Sequence, residues 1–180
     1  MSGQQFDPIS VVEAAYRFDV PLDDWFEAVS TRVARYFPED VPIIAHALKA
    51  ESPDDIRRLH RHIDYPEPDM PRVGFDTDTL DRLPDDFAEG YADGPSGIVT
   101  TSGLLGTAPR EHPEFGPEIA HVPYFGDFAA ILVRDPSGIV LDIGVVVPDV
   151  YDIEPEEKSL WSRISAHIAS GLRLNLTVRE

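Results

Sequence analysis

Residues 128–147 read Phe128-Ala129-Ala130-Ile131-Leu132-Val133-Arg134-Asp135-Pro136-Ser137-Gly138-Ile139-Val140-Leu141-Asp142-Ile143-Gly144-Val145-Val146-Val147. Two nearly continuous apolar runs flank Asp135-Pro136-Ser137-Gly138, in which Asp, Pro and Gly hold positions i, i+1 and i+3 of a type I turn. The spacing predicts a β-hairpin. Strands that are apolar at almost every position are covered on both faces, so this hairpin belongs at the centre of a sheet with a layer on each side. Asp142 and Gly144 interrupt the pattern and alternate onto one face, where they mark a candidate cavity. A buried Asp142 has to be protonated, paired, or bonded to a ligand's amide or hydroxyl; at a sheet margin it simply faces solvent.

Downstream, Pro155 to Leu174 predicts a helix. Glu156 and Glu157 suit its start and Arg173 its end, and Leu160, Trp161, Ile164, Ile168 and Leu172 form an apolar stripe. Upstream, Ser10 and Glu13 have capping-box spacing ahead of a helix over about Val11 to Phe18. A second helix follows Pro21, with Leu22, Trp25, Phe26, Val29, Val33 and Tyr36 at helical spacing and Pro38 as its stop. Val41 to Leu48 reads as a buried strand. Residues 56–64 fit either a helical face of Ile56, Leu59 and Ile63 or a strand from Arg57 to Asp64. A helix opened by Pro84 carries Phe87 and Tyr91, and Ile98 to Thr101 reads as a strand. Ser102 to Pro123, rich in Gly and Pro, is either a cover over one sheet edge or a ligand lid.

The 180 residues suit one domain. The absence of cysteine removes disulfides, thiolate metal sites and a cysteine nucleophile. Met1 to Pro8 lacks the basic and apolar segments of a secretory signal, and no apolar run spans a bilayer, so the chain reads as cytoplasmic with no membrane partner. Acids number 33 against 15 bases, a net charge of −18 that repels phosphate backbones and argues against direct nucleic-acid binding.

Signatures of phosphate, dinucleotide and zinc-hydrolase chemistry are missing, as is a nucleophile elbow, so no catalytic residue and no cofactor is assigned. His60, His62 and Asp64 share one face if their segment is a strand and diverge if it is a helix; Arg57, Arg58 and Arg61 around them oppose a cation, and no metal is assigned. Phe87, Tyr91, His121, Tyr124 and Phe125 are candidates for the wall of a small-molecule pocket, with Asp142 as its polar group. Core packing is the competing reading of these aromatics.

Three stretches together resemble the N-terminal sensory region of LuxR-type helix-turn-helix transcriptional regulators. They are Val11-Val12-Glu13-Ala14-Ala15-Tyr16 leading to Leu22-Asp23-Asp24-Trp25; Asp135-Pro136-Ser137-Gly138 with Gly144; and Leu160-Trp161-Ser162-Arg163-Ile164-Ser165-Ala166-His167-Ile168-Ala169-Ser170-Gly171-Leu172-Arg173-Leu174. The middle half of the chain does not share the likeness, so no ligand residues transfer. The resemblance implies an α+β, GAF-like domain over residues 9–176, between a flexible segment 1–8 and a tail 177–180. Such a domain has a central antiparallel sheet of five or six strands, N- and C-terminal helices on one face, and a loop and helix layer on the other, and this architecture favours the strand reading around Leu59.

The function so implied is signal sensing without catalysis: a small-molecule ligand or a partner shifts the conformation or the dimer arrangement, while DNA is read by a domain absent from this chain. The expected homodimer seam runs through Val12, Tyr16, Ile164, His167 and Ile168. The competing classes are a small metal- or carboxylate-dependent enzyme and an acidic interaction module without a pocket.

Overall fold

The computed structural model describes residues 6–38, 41, 43–52, 55–64, 90, 94–122 and 124–178, with side chains described for all of these but 50–52 and 55–64. The hairpin falls where the turn chemistry places it, as β4 (Asp127–Arg134) and β5 (Ile139–Val147). In the turn between them, the Gly138 N–H donates to the Asp135 carbonyl at 2.9 Å, the Ser137 N–H donates to the Asp135 carboxylate at 2.9 Å, and Gly138 takes a left-handed φ of 82°.

β1 (Ile43–Ser52) pairs with β5 on one side and with β2 (Asp55–Asp64) on the other, while β3 (Gly97–Thr100) pairs with β4. All pairings are antiparallel, and the five-stranded sheet runs β2-β1-β5-β4-β3. The fold is mixed α+β.

One face of the sheet is covered by helices. These are α1 (Pro8–Ala15), α2 (Leu22–Ala34) and, beyond the hairpin, α5 (Pro155–Thr177). Val11, Trp25, Val29, Trp161, Ile164 and Ile168 from these helices meet Ala45, Ile131, Ile143 and Val145 from the strands in one buried cluster. On the other face, α3 (Thr101–Leu105), a 3-10 turn (Pro109–Glu111) and α4 (Phe115–Ile119) place Leu105, Phe115, Ile119, Val122 and Phe125 over Ile44, Leu48, Leu132 and Val146. Strand alternation assigns each apolar side chain of β5 to one cluster or the other, which is why the strand is apolar almost throughout.

α1 begins earlier than the Ser10/Glu13 spacing predicts. Asp7 is the cap, its carboxylate accepting the Ile9 N–H at 3.0 Å, and Pro8 behind it supplies a first-turn φ; Ser10 instead donates to the Asp7 carbonyl at 2.7 Å. The expected strand over Ile98 to Thr101 ends at Thr100, whose hydroxyl accepts the Gly103 N–H at 3.0 Å and starts α3. Residues 55–64 are strand and not helix, and β2 starts slightly before the expected Arg57. The helix expected after Pro84 lies outside the described residues, Gly90 apart, and so do Phe87 and Tyr91.

α5 is tied to the rest of the molecule at three levels. Its apolar stripe packs on the sheet. At its end, the exposed Arg173 donates to the buried Asp135 carboxylate at 2.8 Å, so the hairpin turn and the helix hold one another. Burial pushes the Asp135 carboxyl up, but the Ser137 hydrogen bonds and the Arg173 guanidinium outweigh it and hold the group below its usual range. One turn or so before the end of α5, Gly171 lets α1 come so close that a Cβ there would stand 2.0 Å from the Ala15 carbonyl oxygen. Backbone cannot retreat as a side-chain tip can, so Gly171→Ala is expected to destabilise the fold by about 1–3 kcal/mol in urea unfolding, while the neighbouring Ser170→Ala changes little. Equal stabilities for the two variants would contradict the close approach.

Candidate functional site

The register of the central strands puts one polar pair in an apolar sheet. His46 of β1 stands directly opposite Asp142 of β5, and Asp142 opposite Leu132 of β4. Cross-strand partners share a face, and this row faces the α3–α4 side together with Ile44, Leu48 and Val140. The His46 and Asp142 side chains are 3% and 5% exposed, and Nδ1 lies 3.6 Å from Oδ2. That separation permits Coulombic attraction but is too long for a hydrogen bond. The other polar atoms of the pair, His46 Nε2 and Asp142 Oδ1, are buried and have no hydrogen-bond partner among the described residues. A buried polar atom left unmatched costs about 1–3 kcal/mol, so an arrangement holding two of them calls for an explanation.

The alternation that flagged Asp142 and Gly144 together has a different cause at each position. Gly144 marks no space: a Cβ there would meet the Ala129 carbonyl oxygen at 2.5 Å and the Phe128 ring at 2.8 Å. Of the two, Asp142 alone brings a polar group into the interior. Its partner His46 was passed over in the sequence because it sits within the apolar run of β1, yet its place between Ile44 and Leu48 on the same face was a readable signal.

The other candidates are dispersed. Phe125 is buried against Phe115, with ring centroids 6.1 Å apart, and belongs to the core under the layer. Tyr124 is half-buried at the edge of that cluster. His121 is exposed, so it does not wall a pocket with them; it falls in the turn after α4, whose inward positions are taken by Ile119 and Val122. Arg110 pins this layer by donating to the carbonyls of Val122 and Phe125. His60, His62 and Asp64 stand on β2 in register with Ala47, Ala45 and Ile43, and their side chains lie outside the described residues. Among the described residues, no group of three or more His, Cys, Asp or Glu is placed to hold a metal ion.

The residues of the expected dimer seam differ in exposure. Ile164 and Ile168 are 4% and 0% exposed because they belong to the α5 stripe that packs on the sheet, and Val12 is half-buried in α1. Tyr16 and His167 do face outward, with the tyrosine hydroxyl 3.2 Å from His167 Nδ1.

Two clusters that the sequence reading did not single out surround an open cleft of about 450 Å³ between α3 and the β5–α5 connection. Asp127, fully buried, accepts the Ser102 N–H at 3.0 Å, the Ser102 hydroxyl at 2.5 Å, the Phe128 N–H at 2.9 Å and the Tyr151 N–H at 3.1 Å. Four donors saturate the carboxylate, so it anchors the two sides of the cleft and is not a base for Ser102.

At the start of α5, Glu157 accepts from the Tyr36 and Tyr151 hydroxyls through one oxygen and from the Glu154 N–H through the other. Burial pushes the Glu157 carboxyl up, but the Tyr36 hydroxyl, the Glu154 N–H and the Tyr151 hydroxyl together hold it below its usual range. Burial and the same carboxylate push the Tyr36 phenol up strongly and the Tyr151 phenol up to about 12.

No family model and no curated protein matches the chain. No helix among the described residues is long and apolar enough to cross a membrane.

The Glu157 cluster sets a pH dependence. A carboxyl depressed on folding stabilises above its unfolded value of 4.5, and that contribution disappears as pH falls through the lower folded value; the raised phenols stabilise below 10 and lose that contribution as pH climbs through their folded values. Glu157→Gln is therefore expected to flatten the acid limb of a Tm-against-pH curve and to lower the pH at which two tyrosines ionise in an alkaline absorbance titration. Wild-type tyrosines that all ionise normally would contradict the cluster.

Proposed function

We propose that the chain is a signal-input module of the GAF-like kind, of the sort that precedes the DNA-reading helix-turn-helix in LuxR-type regulators. It senses a small molecule or partner on one sheet face and transmits the event through a homodimer formed on the other. The observation that carries the reading is the outer surface of the α1–α5 pair. Among the described residues six large apolar side chains are exposed, and five of them, Ile9, Tyr16, Phe18, Leu174 and Val178, lie on these two helices or directly beyond their ends. Ile9 and Tyr16 are seven residues apart, as are His167 and Leu174, and a seven-residue spacing returns to the same side of a helix. The two helices run parallel, since Phe6 stacks near Trp161 while Arg17 accepts from Asn175.

Charge supports a second copy as the occupant. After its first turn α5 carries only Lys158, Arg163 and Arg173, whereas α1 carries Glu13 and is capped by Asp7. In a chain of net charge −18 this is a surface where two copies approach with little repulsion, and a two-fold that sets α1 over the partner's α5 matches acid to base. An apolar strip on an otherwise charged chain is the usual mark of such an interface.

Light scattering on the full chain tests the reading. Wild type is expected to be a dimer and Leu174→Glu a monomer with unchanged circular dichroism; a wild type that stays monomeric at high concentration would remove the proposed transmission surface.

A further inference from the structure

We infer that His46 and Asp142 form the polar floor of a ligand site on the α3–α4 face of the sheet, and that this site takes a small, largely apolar, neutral molecule with an amide-type edge. The inference rests on the signal-input reading and names its ligand chemistry. The argument starts from the two unmatched atoms. Both residues are at least nine-tenths buried; among the described residues their neighbours on this face are Ile44, Leu48, Leu132 and Val140, and Nε2 and Oδ1 have no partner. In apolar surroundings the pair is held with least cost when it carries no net charge.

Three net-neutral arrangements place a proton between Nδ1 and Oδ2. In the first, the imidazolium directs its Nδ1–H toward the carboxylate oxygen Oδ2. In the second, a protonated Oδ2 directs its O–H toward a bare Nδ1. In the third, a neutral imidazole directs its Nδ1–H toward the Oδ2 of an acid protonated on Oδ1. The first two leave Nε2–H as donor and Oδ1 as acceptor and the third reverses them, so each leaves one donor and one acceptor. The chemical complement is one acceptor with one donor, as on a primary carboxamide or a lactam. A carboxylate offers no donor and brings a charge into the interior; an ammonium offers no acceptor. Since the surrounding side chains are themselves buried, a ligand reaches the pair only by displacing part of what covers them. Binding is thereby coupled to the conformation of that side of the sheet, which is what an input site requires.

Benzamide and δ-valerolactam are the probes, with benzoate, benzylamine and toluene as matched controls. NMR of the full-length chain is expected to show saturable shifts of the His46 imidazole and of the amides of 46, 132 and 142 with both amides, and binding weaker by about tenfold or more for every control. The double variant H46L/D142L removes both unmatched atoms, so it is expected to be at least as stable as wild type while losing the amides. Should that variant fail to fold, the probe series on wild type decides alone.

Equal responses to all five compounds, a response confined to other residues, or a folded double variant that still binds benzamide would overturn the site. A dimer blind to every probe refutes the site and leaves the signal-input reading. A strict monomer that binds the amides through His46 and Asp142 does the reverse.

Discussion

A hairpin that is apolar on both sides obliges the chain to build two layers. Each residue of β5 other than Asp142 and Gly144 would expose apolar surface if either cover were absent, and burying a side chain such as Leu141 or Ile143 is worth about 1.5–3 kcal/mol. The rest of the architecture follows. The helices α1, α2 and α5 satisfy one face and the compact 101–125 segment satisfies the other. Neither cover is independent of the hairpin. α5 is fastened to its turn through Arg173 and Asp135, and α3 is fastened to the first residue of β4 through Ser102 and Asp127.

The same constraint makes the polar residues of the interior informative. Asp127 shows what a buried carboxylate looks like when the fold itself accounts for it: four donors and no spare valence. Asp135 is similar, with its turn and a guanidinium. His46 and Asp142 are unlike both, since each is only half accounted for by the other and the remaining atoms have no partner among the described residues. That contrast within one protein, more than the burial alone, is the ground on which the ligand site is proposed at this pair.

Much of this was readable from the residues because the strongest signals were local. The type I turn, the stripe of α5 and the periodicity of α2 each rest on spacing within a few residues, and all three stand where that spacing puts them. What was not readable depended on which strand lies beside which. Asp142 was visible as an oddity, but its match to His46 required the β1–β5 register. Ile164 and Ile168 were read both as core and as seam, and only packing shows that a single apolar stripe is consumed by the sheet. His121, Tyr124 and Phe125 are near neighbours in sequence, yet an irregular segment sends Phe125 inward and His121 outward, and no periodicity predicts that division.

The central claim is that α5 and the hairpin form one cooperative unit, closed on both faces. Native-state hydrogen exchange measures this directly, because amides that open only with global unfolding share one protection free energy. The account predicts that residues 129–133, 140–146 and 161–172 exchange last and together. Exchange of 161–172 at the rate of a free helix, with the strands still protected, would contradict it.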